Sequence, residues 1–100
     1  MSVKSVSREE ILYQLCQLKQ HLKERYGIKK IGIFGSVARD NADSESDIDV
    51  VVEMDPNLFL RASLKAELEA HLGQKVDVVR YRKSLKKSLK KRIDNESIYV

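Results

Sequence analysis

Apolar positions recur along the chain with two different spacings, and these spacings predict the order of its helices and strands. Near the N-terminus they lie three or four residues apart and mark one face of a helix: Ile11, Leu15, Leu18 and Leu22. Ser7 and Glu10 have the spacing of a capping box, and Gly27 follows Tyr26 where glycine commonly ends a helix. The first element is therefore predicted to be a packing helix from about Ser7 to Tyr26.

Three short segments rich in β-branched residues follow and predict strands at about 29–34, 47–52 and 75–79. Between the second and third segments, leucines recur every four residues and predict another helix: Leu60, Leu64, Leu68 and Leu72. Asp55-Pro56 is expected to open this helix and Gly73 to end it. A strand–helix–strand connection of this length is typical of neighbouring parallel strands.

The C-terminal region carries a third apolar stripe among basic residues. Leu85, Leu89 and Ile93 are spaced by four and predict a basic amphipathic helix over about 84–95. With 42% hydrophobic residues, 100 residues can form one core. We therefore expect an α/β (α+β) fold in a single domain, residues 1–100, with a small mixed sheet and helices packed on one face.

The charge of the chain is unevenly distributed. Its formal net charge is +4, but residues 80–100 carry eight Lys and Arg against two acids, whereas residues 1–79 carry eleven against thirteen. A solvated lysine face is the first explanation of the basic helix, and an acidic protein partner is the second. A nucleic-acid surface ranks last, because Tyr81 and Tyr99 offer little area for stacking bases.

Several residue types predict no chemistry of their own. Cys16 is the only cysteine, which excludes an intrachain disulfide, and its place in the first helix predicts a small buried hydrophobe. His21 and His71 lack a second ligand at metal spacing and are expected to be solvated. Without an apolar leader or a span of membrane length, the expectation is a cytoplasmic protein that contacts no membrane.

Gly35 and Ser36 follow the first predicted strand and form a candidate anion-binding turn. Glycine has no Cβ, so the backbone at position 35 can approach a ligand closely. Ser36 can cap a following helical turn and offer its hydroxyl and nearby backbone N–H groups. The pair therefore occupies a position suited to phosphate.

Asp47 and Asp49 begin the second predicted strand and are two residues apart, which places both carboxylates on one face. At about 6.6 Å along a strand they would repel each other without a cation, and they suit the divalent ions of a two-metal site. Magnesium is the expected metal. Asp77 is the one charge within the third strand, and either exposure at a sheet edge or the same face as Asp49 explains it.

The combined pattern G-S-x10-D-x-D, formed by Gly35, Ser36, Asp47 and Asp49, resembles the signature of the DNA polymerase β superfamily of nucleotidyltransferases. With Arg39 after the turn and S-D-I-D-V at the second strand, the chain most resembles the minimal nucleotidyltransferases, the MntA-like antitoxin partners of HEPN-domain toxins. The resemblance runs from about residue 28 to residue 79. Position 40 departs from it, since aspartate stands where the family usually has glycine.

The resemblance implies a complete site. It assigns Asp47, Asp49 and Asp77 to two Mg²⁺ ions and catalysis, and Gly35, Ser36 and Arg39 to the nucleotide. In the family, the third aspartate helps to hold the catalytic ion and serves as base for the incoming hydroxyl.

The resemblance also implies a reaction, in which AMP moves from ATP to a hydroxyl of a partner protein, a tyrosine of a HEPN toxin. The short chain implies that this helical partner supplies the acceptor in trans. The alternative is a non-catalytic antitoxin or binding module that acts by complex formation. The preferred base, the acceptor and any homo-oligomeric state are left open by the sequence.

Overall fold

The computed structural model describes residues 7–39 and 47–100, and within these ranges it contains three helices and four strands in an α+β arrangement. In chain order they are α1 (Arg8–Tyr26), β1 (Lys30–Phe34), β2 (Ile48–Glu53), α2 (Leu58–Leu72), β3 (Val76–Arg80), α3 (Lys87–Glu96) and β4 (Ile98–Tyr99). The expected fold class is confirmed, and β4 is an addition that the sequence did not predict. Position 40, where the sequence departs from the resembling family, lies outside the described residues. No helix in the described ranges combines the length and apolar character that a membrane crossing needs.

The strands form one mixed sheet in the order β3-β2-β1-β4. β1 is antiparallel to both of its neighbours, whereas β2 and β3 are parallel and connected through α2, as the strand–helix–strand pattern predicts. In this register Phe34 lies opposite Asp49, and Asp49 lies opposite Asp77. Because directly paired residues share a face, all three side chains project from the same side of the sheet.

The other side of the sheet carries the larger part of the core. Alternation along β2 directs Ile48, Val50 and Val52 to this side, where they are fully buried with apolar residues of α1 and α2. Each buried aliphatic side chain contributes about 1.5–3 kcal/mol to stability. This packing holds β2 rigidly while the opposite face of the same strand remains available for chemistry.

The expectation that all helices pack on one face is incomplete, because α3 lies on the carboxylate side. Ile93 is buried there against Phe34 and Val51, with Leu85 and Leu89 partly buried beside them. The physical reason is that Phe34 and Val51 would otherwise leave an apolar strip of the sheet exposed to water. Leu85 contributes to this cluster from the segment before α3, which begins at Lys87 rather than near residue 84.

Helix ends follow the predicted capping rules at three of the four predicted positions. Ser7 accepts a hydrogen bond from the Glu10 amide at 3.2 Å, and Gly27 and Gly73 end their helices in the left-handed conformation. The prediction that Asp55-Pro56 opens α2 is wrong. Asn57 caps this helix instead, since its side chain reaches the Leu60 amide at 3.0 Å.

The prediction for Cys16 is also wrong, because its side chain is exposed. Cys16 follows the fully buried Leu15, and one residue along a helix turns the side chain by about 100° and so away from the buried stripe. His21 is half exposed, and its Nε2 lies 2.8 Å from an oxygen of Glu67 on α2. It therefore takes part in a polar contact between the two helices.

Tyr26 and Glu67 form the central contact of this interhelical group, and they predict a pH-dependent contribution to stability. The Tyr26 hydroxyl donates to Glu67 at 2.6 Å, and this bond, followed by His21 and Arg25, lowers the pKa of Glu67 despite its partial burial. A carboxyl with a lowered folded pKa stabilises the fold above its unfolded pKa, and the contribution is lost as pH falls through the folded value. We expect Tyr26→Phe to lower the free energy of unfolding by about 1 kcal/mol near neutral pH. On acidification, the variant should lose less stability than wild type does.

Urea denaturation of wild type and variant between about pH 3 and pH 7 measures this difference. Tyr13→Phe is the matched control, because Tyr13 lies on the same helix with an exposed side chain. Parallel pH profiles for wild type and Tyr26→Phe would contradict the assignment.

Candidate active site

Three aspartates lie where the parallel strands β2 and β3 begin. Asp49 is the second residue of β2 and is partly buried, Asp77 is the second residue of β3 and is exposed, and Asp47 is exposed just before β2. Asp49 and Asp77 are direct partners across strands that lie about 4.8 Å apart. β3 is an edge strand that pairs with β2. Asp77 is therefore exposed at the edge of the sheet and also shares a face with Asp49, so both explanations of its charge hold.

The surroundings of Asp49 disfavour its negative charge. Burial raises the pKa of this carboxyl most, and the charges of Asp77 and then Asp47 raise it further, while Arg92 and Arg39 act in the opposite direction. The cationic side chains only partly offset the other effects, since the pKa remains above its ordinary value. An additional cation beside Asp49 would therefore be stabilising.

A preassembled three-carboxylate metal site is not formed in the described ranges, where no three His, Cys, Asp or Glu side chains are placed to hold an ion together. The three aspartates lie at the start of β2 and β3, and their assignment to metal ions stays a prediction. The donor chemistry nevertheless fits Mg²⁺, which prefers oxygen ligands and often takes only one or two carboxylates, with waters and substrate phosphates completing the shell. Asp49 and its strand partner Asp77 provide such a pair.

The turn after β1 is in direct contact with this acidic group. Gly35 has φ of 74°, in the left-handed region, and its carbonyl accepts a hydrogen bond from the Arg39 amide at 3.1 Å. A Cβ at position 35 would overlap the carboxylate of Asp49. The structure therefore brings Gly35 and Asp49 together, as their assignment to one site requires. The atoms nearest to the Cβ position of residue 35 belong to the Asp49 carboxylate, which is itself a candidate residue of the site.

Two further residues of the predicted nucleotide-binding turn lie close by. Ser36 is partly buried directly after Gly35. Arg39 is exposed, and its guanidinium donates to Glu96 of α3 at 2.9 Å. The arginine assigned to the nucleotide is thus held by the C-terminal helix in this conformation.

Arg92 is a residue of this region that the sequence analysis missed. Its guanidinium carbon lies 5.9 Å from the centre of the Phe34 ring, and one of its nitrogens lies 3.5 Å from the position that a Cβ of residue 35 would take. The sequence shows Arg92 as one more basic residue of an amphipathic helix. Only the packing of α3 on the carboxylate face reveals the position of Arg92. In the sequence, its place next to Ile93 of the apolar stripe is a weak indication that it lies near the sheet.

A cavity of about 360 Å³ lies at the other end of the parallel strands. Its lining includes Arg61, Arg80 and Arg82, together with the segment from Met54 to Leu58 that connects β2 to α2. Because β2 and β3 both run from the aspartates towards this cavity, it does not coincide with the carboxylate group. The candidate site is instead an open surface between the turn after β1, the sheet and α3.

Comparison with known proteins gives a consistent result. The family model described as "Nucleotidyltransferase domain" matches residues 15–100. A relative named protein adenylyltransferase MntA, from Thermococcus cleftensis, is 40% identical over 94 residues, which cover 92% of this chain and 94% of the relative.

Solved structures share the fold. A provisionally named minimal nucleotidyltransferase has a TM-score of 0.76 at 32% identity, with 92% of this chain and 94% of the other covered. A chain from the complex of a tri-AMPylated Shewanella oneidensis HEPN toxin with an MNT antitoxin has a TM-score of 0.66 at 20% identity, with 92% and 70% covered. The second likeness is one of fold alone.

Proposed function

Because the chain belongs to the nucleotidyltransferase domain family, we propose that it transfers AMP from ATP to a hydroxyl group of a partner protein. The observation that carries this proposal is the placement of Asp49 opposite Asp77 and against Gly35. This arrangement puts two oxygen donors for a cation next to a turn whose backbone can approach phosphate.

Each site residue has a role in the proposed step. The acceptor oxygen attacks the α-phosphorus of ATP, the bond to the β-phosphate breaks, and pyrophosphate leaves while Asp77 takes the hydroxyl proton. Ser36 and the backbone at Gly35 hold the departing phosphates. Asp47, Asp49 and Asp77 would hold Mg²⁺, which offsets the charge on the attacking and leaving oxygens when it is bound.

The partner that we propose is a helical HEPN-domain protein that presents a tyrosine hydroxyl. The naming of a relative as a protein adenylyltransferase supports a protein acceptor, and the fold likeness to a chain from a complex with a tri-AMPylated HEPN toxin supports this class of partner. The basic residues of α3 and of the segment before it would attract an acidic partner and speed its association at low salt.

The proposed function predicts a covalent product that intact-mass spectrometry detects. A HEPN-domain protein incubated with wild type and Mg-ATP should gain the mass of AMP on tyrosine. Asp77→Asn should lower this rate by about 100-fold or more, because general-base catalysis contributes roughly 10²–10⁴-fold. Asp55→Asn is the matched control, since Asp55 is an exposed aspartate at the far end of β2.

Efficient transfer to a small-molecule acceptor by this chain alone would contradict a protein acceptor. Equal rates for wild type and Asp77→Asn would contradict the role of Asp77.

A second candidate function is a non-catalytic antitoxin that acts by complex formation. One observation favours it, the pairing of Arg39 with Glu96, which holds the arginine assigned to the nucleotide against α3. A variant with Asp47→Asn and Asp49→Asn separates the two functions. If this variant neutralises the partner as well as wild type does and leaves it unmodified, the binding function is correct.

A further inference from the structure

We propose that Arg92 of α3 binds the leaving phosphates of the nucleotide, so that the diphosphate group lies between the guanidinium groups of Arg92 and Arg39. This inference rests on the proposed function, since it places the nucleotide at the turn after β1. It adds to that site a residue from the C-terminal helix, which the nucleotidyltransferase motif does not include.

The packing of α3 on the sheet places Arg92 beside Phe34. Its chain neighbour Ile93 is almost fully buried against Phe34 and Val51, which holds this part of α3 against the sheet. The guanidinium itself lies over the Phe34 ring, at 5.9 Å from its centre. Because Arg92 is exposed, its N–H groups remain accessible to a ligand.

Arg92 lies beside the glycine of the turn, on the side of the sheet that carries the Asp49 carboxylate. The Asp49 carboxylate overlaps the Cβ position of residue 35, and a guanidinium nitrogen of Arg92 lies 3.5 Å from the same position. A nucleotide at this turn would therefore meet a metal-binding carboxylate and a cation together. Phosphate oxygens at this turn would be stabilised by the arginine and, when it is bound, by Mg²⁺.

The N–H donors of Arg92 are not used in ion pairs in the part of the chain that the structure describes. The electrostatic effect of Arg92 on Asp49 acts without a direct contact. Its side chain is exposed beside the turn. A guanidinium with five N–H donors and no carboxylate partner is suited to a polyanion.

The second arginine is brought to the same place by the same helix. Arg92 and Glu96 are four residues apart and so share one face of α3, and Glu96 holds Arg39 at 2.9 Å. α3 thus supplies the guanidinium of Arg92 itself and holds that of Arg39 through the Glu96 carboxylate. A triphosphate carries more negative charge than Glu96 and would draw Arg39 from it while Arg92 also binds the phosphates.

The test compares binding of Mg-ATP and AMP to wild type, Arg92→Ala, Arg92→Lys and Lys91→Ala by calorimetry. Arg92→Ala should weaken Mg-ATP binding by about 10- to 100-fold, the effect of losing charge-assisted hydrogen bonds. AMP lacks the leaving phosphates and should bind almost as before. Arg92→Lys should recover part of the loss, because lysine keeps the charge without the planar fork.

Lys91→Ala removes the same charge from the next position of α3 and should leave Mg-ATP binding within about twofold of wild type. If Arg92→Ala fails to fold, Arg92→Gln keeps the aliphatic chain over Phe34 and replaces it in the comparison. Equal losses for Mg-ATP and AMP, or equal losses for the Arg92 and Lys91 variants, overturn the inference.

The inference and the proposed function fail in different ways. Arg92-dependent binding of Mg-ATP without modification of any partner supports the inference and rejects the transfer reaction. Partner modification by Arg92→Ala with unchanged KM for ATP supports the transfer reaction and overturns the inference. If wild type binds no nucleotide, both are rejected.

Discussion

Asp49→Asn should abolish AMP transfer and at the same time make the metal-free protein more stable. The transfer rate should fall by about 100-fold or more, because the variant loses a carboxylate that faces the proposed reaction. Stability should rise because the pKa of Asp49 is raised by burial and by Asp77, so its charge is unfavourable in the folded state. Thermal unfolding in EDTA and mass spectrometry of the partner measure the two effects.

The raised pKa of Asp49 also predicts how the stability of wild type depends on pH. A carboxyl with a raised folded pKa stabilises the fold most below its unfolded pKa, and this contribution is lost as pH rises through the folded value. In EDTA the advantage of Asp49→Asn should therefore be larger near pH 7 than in acid. Mg²⁺ should raise the melting temperature of wild type more than that of the variant. A variant that is less stable than wild type in EDTA would contradict the electrostatic assignment.

Gly35→Ala should impair both stability and transfer, and it differs in this from substitutions at Gly27 and Gly73. The left-handed φ of 74° alone costs an alanine about 1–2 kcal/mol. The added methyl group would also overlap the Asp49 carboxylate and displace it from the turn. Transfer should therefore fall by about 100-fold or more, together with the affinity for Mg-ATP.

Gly27→Ala and Gly73→Ala are matched controls for the strain, because both glycines have similar positive φ values and open space around the missing Cβ. They should lose about 1–2 kcal/mol of stability in urea denaturation and leave transfer unchanged. A Gly35→Ala protein with the same stability as these controls and wild-type transfer would show that Gly35 serves only the turn. The contact of position 35 with Asp49 is a tertiary one, so the sequence motif does not predict the part of the stability loss that comes from this overlap.

The elements that sequence periodicity predicts are those in which one local signal dominates. The stripe of α1 and the leucines of α2 determine which faces are buried, and alternation along β2 separates Asp49 from the apolar positions around it. The start of α2 is different, since both Asp55-Pro56 and Asn57 are acceptable helix openings. The structure selects Asn57, and no local rule decides between them.

The arrangement of the site depends on contacts between distant segments, which the sequence does not rank. Alternation shows that Asp49 and Asp77 each face one side of a strand, but their direct pairing follows from the parallel register of β2 and β3. The stripe of α3 is visible as a pattern, whereas its choice of the carboxylate face is not. Arg92 could therefore not be distinguished from its lysine neighbours. The metal ions and the catalytic roles of the aspartates stay predictions.

The pairing of β1 with β4 has a consequence for synthesis of the protein on the ribosome. Ile33 pairs with Ile98, so one edge of β1 has no partner until almost the whole chain to position 98 has been translated. Unpaired strand edges favour association between nascent chains, and the intervening helix that carries Arg92 also emerges late. A chain translated only as far as β3 would therefore present its aspartates before α3 and Arg92 can pack on the same face of the sheet.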